Sequence, residues 1–130
     1  MNIEERLHTV RQEYIDKYKT NPNVIFVGCD LLAEPNNIVD GQKFYDATPE
    51  NLWGAHIIMV LTPNYIKFAE HSDIKKAIKH FNADNSWESY KIEKNKTIVA
   101  SVGIGQHISS KLEVIEFSKN EIEMYSMQNN

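Results

Sequence analysis

Hydrophobic positions recur at helical spacing at the start of the chain. The apolar residues follow one another at intervals of four, three, four and four: Ile3, Leu7, Val10, Tyr14 and Tyr18. This spacing gathers them on one face of an α-helix. Residues 2–19 are therefore predicted to form an amphipathic helix, which ends before Pro22 because proline has no backbone N–H to donate.

The short apolar run of residues 24–29 predicts a strand that is buried on both faces, or a central strand under helices. A second apolar strand is expected over residues 56–61. Between them, Asp40-Gly41 separates two further apolar pairs, and this dipeptide favours a two-residue hairpin turn. Residues 48–50 are Thr-Pro-Glu, a typical helix start, so one helical turn is expected through Trp53.

The second half of the chain begins with another helix-start pattern, Thr62-Pro63. Apolar residues then follow at helical spacing, which predicts a helix over residues 63–82. The remainder has the pattern of four strands, with a hairpin turn at 118–120 before the last: 87–94, 97–104, 111–117 and 121–126. We therefore expect one α+β domain over residues 1–130, with a mainly antiparallel sheet of five or six strands packed by the N-terminal and central helices.

The length of 130 residues suits a single domain. No apolar run is long enough to cross a membrane, and the first residues lack the apolar core of a signal peptide. The only cysteine, Cys29, cannot form a disulfide within the chain, and cysteine is usually a buried residue. We expect a cytoplasmic protein that does not interact with membranes, with a packed thiol at Cys29.

Charge gives little support to nucleic-acid binding. The net charge is −4, although residues 64–96 carry 7 basic and 5 acidic side chains. Basic residues alternate with Trp87 and Tyr90 in that stretch, a combination that can bind single strands. The interspersed acids favour a solvated lysine face instead, so nucleic acid is not an expected partner. The excess of Lys (12) over Arg (2) reflects A/T-rich codons, as in many bacterial or phage genomes.

No motif for catalysis or metal binding is present. The five histidines form no metal-binding pattern, and Ser101 lacks the glycines of a nucleophile elbow, so no catalytic residue, metal or cofactor is predicted. A glycine-containing segment follows a predicted strand, where backbone N–H groups could bind an anion. Its candidate ligand-binding residues are Gly103, Gly105, Gln106 and His107.

Aromatic residues in the irregular segment 40–53 predict a protein-binding surface, because tyrosine and tryptophan are enriched in interface hot spots. The candidate partner-binding residues are Phe44, Tyr45 and Trp53. The leading hypothesis is a small cytosolic, phage- or mobile-element-type protein that binds another protein stoichiometrically, as an inhibitor, immunity or regulatory protein. The alternative is a small-molecule or nucleotide-binding protein, or a small enzyme, with its site near Gly103–His107. A homo-oligomer could form through the aromatic segment or a helix face.

Overall fold

The computed structural model describes residues 1–47, 51–101 and 106–129, and their side chains except those of residues 47, 95–101 and 106–111. Helices within these ranges are α1 Ile3–Tyr18, α2 Cys29–Ala33, α3 Phe44–Ala47, α4 His71–Ala83 and α5 Lys119–Gln128. The strands are β1 Val24–Gly28, β2 Ile38–Val39, β3 Gln42–Lys43, β4 Asn51–Leu52, β5 Ala55–Val60, β6 Ile66–Ala69, β7 Ser89–Ser101 and β8 Gln106–Ser118. None of the helices in the described ranges has the length and apolar character needed to span a membrane.

A four-stranded sheet in the order β4-β5-β1-β6 forms the centre of the α+β fold. Strands β1 and β5 are parallel, with Val24 opposite His56, whereas β6 pairs antiparallel to β1 and β4 antiparallel to β5. The expectation of a mainly antiparallel sheet of five or six strands is therefore wrong in its detail. The last two strands, β7 and β8, pair with each other in a separate two-stranded sheet, and in the described part of the chain they do not extend the central sheet.

Each face of the central sheet has its own hydrophobic core. Successive residues of β1 alternate between the two cores, with Ile25 in one and Phe26 in the other. Helix α1 covers the first face through Leu7. Helices α4 and α5 and the base of the β7–β8 hairpin cover the second face, where Phe117 packs near Phe26. All five residues of β1 are buried, which confirms the prediction of a doubly buried strand.

The first helix confirms the prediction from apolar spacing. It begins at Ile3, after the side chain of Asn2 accepts a hydrogen bond from the backbone N–H of Glu5. It ends at Tyr18, because Lys19 adopts a left-handed conformation with φ of 59°. Leu7 is among the deepest core residues, as expected for the centre of the apolar face.

The two-residue hairpin turn at Asp40-Gly41 is also confirmed. Both residues have positive φ, 52° and 78°, and they join the paired strands β2 and β3. The start of the helical turn expected at 48–53 lies outside the described residues. The prediction is wrong for the last residues of that helical turn. Residues 51–52 form β4, and Trp53-Gly54 form a second two-residue turn with φ of 49° and 84°.

The helix expected over residues 63–82 is wrong in its first part. Residues 66–69 form β6, and the helix begins only at His71. Apolar residues spaced three or four apart fit a helix, but pairing with the buried strand β1 stabilises the extended form of this segment.

Three strand predictions near the C-terminus have different outcomes. The strands expected at 87–94 and 97–104 are confirmed as extended structure but wrong in their division, because β7 runs without interruption from Ser89 to Ser101. Residues 102–104 lie outside the described residues. The expected strand at 121–126 is part of helix α5. Ser118 and Glu121 form a reciprocal capping box at its start, with bonds of 3.1 and 3.0 Å, where a hairpin turn was expected.

Removing this cap gives the first testable expectation. The change Ser118→Ala deletes the acceptor for the Glu121 N–H, so the free energy of unfolding should fall by about 1 kcal/mol. Ser126→Ala, an exposed position in the same helix, is the matched control and should have little effect. Thermal unfolding of both variants measures the difference. Equal stability of the two would show that the cap does not stabilise α5.

The side chain of Cys29 departs from its expected environment. The expectation of a packed thiol is wrong, because Cys29 is exposed at the first position of the five-residue helix α2. The buried part of this short helix consists of Leu31 and Leu32, so the chain turns its apolar residues inward just after the cysteine.

Candidate functional site

A cleft of about 690 Å³ opens beside the starts of β5 and α4. This volume lies within the range of pockets that hold small molecules. Its polar lining side chains are Asn23, Tyr45, Asn51, His56, His71 and Gln128. No aspartate, glutamate, lysine or arginine is among the described residues that line it. We refer to it as the histidine cleft.

Asn23 brings the two cleft histidines together. Because β1 and β5 are parallel, the backbone carbonyl of Asn23 accepts a hydrogen bond of 2.9 Å from the N–H of His56. The Asn23 side chain also accepts a bond of 2.8 Å from the N–H of His71, the first residue of α4. Both imidazoles are therefore held at one end of the sheet, with their ring centres 6.1 Å apart.

Two side chains of the C-terminal region connect these imidazoles. His71 Nδ1 lies 2.7 Å from the hydroxyl of Tyr125, which accepts a 3.0 Å bond from Asn129 Nδ2. Asn129 Oδ1 lies 3.1 Å from His56 Nδ1. A continuous hydrogen-bonded chain thus runs from His56 through Asn129 and Tyr125 to His71.

The end of helix α5 is fixed to the sheet by one more amide. Gln128 Oε1 accepts a bond of 2.8 Å from the backbone N–H of Met59, and Gln128 Nε2 donates to the Met59 carbonyl at 2.9 Å. The glutamine side chain thereby satisfies both backbone groups of one β5 residue, as a neighbouring strand would do. This pairing holds one wall of the histidine cleft in place.

The protonation states of His71 and Tyr125 follow from their surroundings. Burial, followed by the nearby charges of His56 and Lys75, lowers the pKa of His71. Burial also raises the pKa of Tyr125. At neutral pH the His71 ring is therefore uncharged and the Tyr125 hydroxyl keeps its proton.

Acidification is expected to destabilise the fold through His71. Because its pKa is lowered in the folded protein, its contribution to stability is present above the ordinary value of 6.5 and is lost as pH falls through the lowered pKa. Thermal unfolding across this range should show a larger loss of stability for the wild type than for His71→Gln, which cannot titrate. An equal loss in both proteins would contradict the assignment.

The aromatic residues predicted to bind a partner lie in three different environments. Phe44 is fully buried in the core under α1, which removes it from any contact surface. Tyr45 is 61% exposed and lines the histidine cleft. Trp53 is partly buried and stacks on His8, with ring centres 4.0 Å apart. Only Tyr45 is therefore brought close to the two cleft histidines.

The candidate ligand segment lies mostly outside the described residues. Gly103 and Gly105 belong to residues 102–105, which are not described. The backbones of Gln106 and His107 pair with Ser101 and Ala100 near the tip of the hairpin, but their side chains lie outside the description. The ligand prediction for this segment therefore stays a prediction.

The lysines of residues 64–96 include two that are committed to ion pairs. Lys94 contacts Glu70 and Asp73, and Lys67 contacts Glu121 at 3.1 Å. Tyr90, one of the two aromatic residues of the predicted single-strand-binding stretch, is a buried core residue, whereas Trp87 is exposed. The two lysine ion pairs and the burial of Tyr90 remove three candidate nucleic-acid ligands from the available surface.

The sequence analysis does not predict the two cleft histidines, His56 and His71, or the residues that connect them, Tyr125 and Asn129, because none of the four belongs to a recognisable motif. Among the described residues, no group of three or more potential metal ligands is arranged around a common point. One signal could have identified part of the site. Asn23 and His56 both stand at the beginning of apolar strands, and parallel pairing of those strands places their backbones side by side.

No protein-family model, curated protein or solved structure matches this chain. Its function is therefore inferred from the residues around the histidine cleft.

Proposed function

We propose that this protein binds a small polar molecule stoichiometrically in the histidine cleft. The observation that carries the proposal is the pair of imidazoles on the cleft wall, joined through Tyr125 and Asn129. The bonds described for both rings use Nδ1, and no hydrogen bond from a described residue reaches the Nε2 atom of either ring. Each ring thus keeps one nitrogen that forms no hydrogen bond to a described residue and can serve a ligand.

Preorganisation supports binding at this position. The backbone N–H groups of His56 and His71 are both bonded to Asn23, and the Nδ1 atoms of their rings are bonded to the chain from α5. A ligand that meets such a preformed site loses less free energy in ordering side chains. The neutral amide of Asn51 and the hydroxyl of Tyr45 add further polar groups to the lining.

A panel of small molecules tests this proposal. Native mass spectrometry and thermal shift would be measured with inorganic phosphate, nucleoside monophosphates, uncharged nucleosides and simple sugars. We expect at least one compound to bind in a 1:1 ratio, and His71→Gln to weaken it by about tenfold, the equivalent of one good hydrogen bond.

His80→Gln is the matched control, because His80 is an exposed residue of the same helix and does not line the cleft. It should bind as the wild type does. If every compound that binds does so equally well to the wild type and to His71→Gln, the histidine cleft is not the binding site. Absence of binding by the whole panel would count against the proposed function itself.

A second candidate function is recognition of another protein through Tyr45. The observation that favours it is the exposure of this large aromatic side chain at the cleft. Tyr45→Ala should then abolish capture of a protein partner while leaving the fold intact, since the side chain contributes little to the core. Retained capture by this variant would exclude Tyr45 as a contact residue.

A further inference from the structure

The hydrogen-bonded chain gives the two cleft histidines opposite roles. In the orientation that the structure gives to the Asn129 amide, its Oδ1 atom faces His56 Nδ1. Because an amide oxygen can only accept, His56 Nδ1 must donate to it. Asn129 Nδ2 donates to the Tyr125 oxygen, and the single hydroxyl proton of this buried tyrosine is then directed to His71 Nδ1. For neutral rings, His56 therefore presents Nε2 as an acceptor, and His71 presents Nε2–H as a donor.

Turning the Asn129 amide over does not change this conclusion. The amide would then donate to His56 Nδ1 and accept from the Tyr125 hydroxyl, and the tyrosine oxygen would accept from His71 Nδ1. Both rings exchange roles, but one still offers a donor and the other an acceptor. The hydrogen-bonded chain thus makes the two imidazoles complementary in either orientation of the Asn129 amide.

We infer that the histidine cleft binds a phosphate group that still carries a proton, with one phosphate oxygen accepting from one imidazole and the P–O–H group donating to the other. This inference rests on the proposed small-molecule function and specifies its ligand class. The ring centres are 6.1 Å apart, which allows one tetrahedral group to contact both rings. No covalent step is involved.

The charges around the described part of the cleft are compatible with an anionic oxyacid. The titratable groups that face His71 are His56 on β5, Tyr125 on α5 and Lys75 on α4, and none of them is acidic. The nearby carboxylates of Glu70 and Asp73 are paired with Lys94 and do not line the cleft. Among the described residues that line the cleft, an anion therefore meets no carboxylate that would repel it.

The size of the cleft favours an organic phosphate. Its volume of about 690 Å³ exceeds what a bare phosphate fills, and Tyr45 and Asn51 line it together with the histidines. An aromatic ring and an amide suit the organic part of a phosphomonoester. A phosphomonoester shares this recognition in its singly protonated form, which is the minor form at neutral pH because its second pKa is about 6. Separate arms of the experiment distinguish it from free phosphate.

Calorimetric titration of the full chain at neutral pH compares inorganic phosphate with sulfate. Inorganic phosphate carries a proton at this pH and sulfate does not, so sulfate would place an oxygen lone pair against the lone pair of one imidazole. We expect phosphate to bind at least about tenfold more tightly than sulfate.

A nucleoside monophosphate and the corresponding uncharged nucleoside form the second arm of the titration. Each affinity is referred to the concentration of the protonated form, which for the monophosphate is the minor one at this pH. Tighter binding of the protonated monophosphate than of protonated phosphate then identifies a phosphomonoester as the ligand, and the reverse identifies free phosphate.

Variants that interrupt the hydrogen-bonded chain between the two histidines test whether it causes the preference for phosphate over sulfate. Tyr125→Phe removes the connecting hydroxyl, and Asn129→Ala disconnects the rings at an exposed residue whose loss should not affect folding. In both, the ratio of phosphate to sulfate affinity should fall toward one. Circular dichroism confirms that each variant is folded, and Asn129→Ala alone decides the test if Tyr125→Phe is not.

Each other outcome overturns the inference in a recognisable way. Equal binding of phosphate and sulfate would show an anion site without the donor–acceptor pair. Binding of the uncharged nucleoside but not of phosphate would leave the proposed function intact and exclude the phosphate. A preference for phosphate that persists in Asn129→Ala would show that the chain does not determine it. If none of the ligands binds, both the inference and the proposed function fail.

Discussion

Replacing Lys94 by methionine is expected to lower the free energy of unfolding by about 3–5 kcal/mol. Lys94 Nζ donates to Glu70 Oε2 at 2.6 Å and to Asp73 Oδ2 at 2.7 Å, with only 12% of the lysine side chain exposed. Asp73 is buried, and Glu70 is nearly so. Loss of the ammonium group would leave two neighbouring carboxylates without their cation, a large cost in a poorly solvated site.

The matched control is Lys91→Met on the same strand. Lys91 is 66% exposed, and its only described ion pair, with Glu116, spans 4.0 Å. Exposed pairs of this kind contribute little, so the control should change stability by less than about 1 kcal/mol. Urea unfolding of both variants measures the difference. Similar stabilities would contradict the role assigned to the buried cluster.

The same cluster sets the pH range of maximal stability. Burial acts to raise the pKa of Glu70, but hydrogen bonds from Lys94 and Thr20 lower the pKa overall. The contribution of Glu70 to the stability of the fold is therefore present above the ordinary pKa of 4.5 and is lost as pH falls through the lowered pKa. Burial acts to lower the pKa of Lys94, but hydrogen bonds to Asp73 and Glu70 raise it overall. Its contribution is therefore present below 10.5 and is lost as pH rises through the raised pKa. The stability difference between wild type and Lys94→Met should be largest between these values.

Replacing Phe117 by alanine should cost about 3–5 kcal/mol. The Phe117 ring is fully buried between the base of the hairpin and the sheet, with its centre 6.3 Å from that of Phe26. Lys67 Nζ also lies 4.5 Å from the centre of the ring. Within the described residues the hairpin forms no strand pairs with the central sheet, so side-chain packing such as that of Phe117 contributes to its attachment to the body of the protein.

Val114→Ala is the control for this second prediction. Val114 lies on the same strand but is 60% exposed, so its truncation should cost little. Urea unfolding monitored by circular dichroism compares the two variants. A loss of less than 1 kcal/mol for Phe117→Ala would show that the hairpin is attached by other contacts.

The parts of the fold that could be predicted from sequence are those determined by local pattern. Helix α1 has an uninterrupted apolar face, and the turn at Asp40-Gly41 contains residues that readily adopt positive φ. The segment 66–69 was mistaken for helix because its extended form depends on pairing with β1. The final helix was mistaken for a strand because Ile122 and Met124 alternate with glutamates, although Ile122 and Tyr125 share a buried helical face.

The candidate site was beyond local prediction for a physical reason. His56, His71 and Tyr125 come from three separate elements, and nothing in the sequence between them indicates that they meet. Their proximity depends on the parallel register of β1 and β5 and on the docking of α5, two features that the sequence pattern did not predict. Of the aromatic residues predicted to bind a partner, Tyr45 lines the cleft, but the sequence pattern does not distinguish it from Phe44 and Trp53, because their exposure is decided by tertiary packing.

The central claim, that Tyr125 and Asn129 join His56 and His71 into one hydrogen-bonded pair facing the cleft, can be tested by nitrogen NMR of the imidazole rings. At a pH where both rings are neutral, the account predicts opposite tautomers, with Nδ1 protonated in one ring and Nε2 protonated in the other. Addition of the tightest-binding phosphate compound should then shift the Nε2 signals of both rings and leave those of His80 unchanged. Finding the same tautomer in both rings, or no shift of either ring at saturating ligand, would contradict the account.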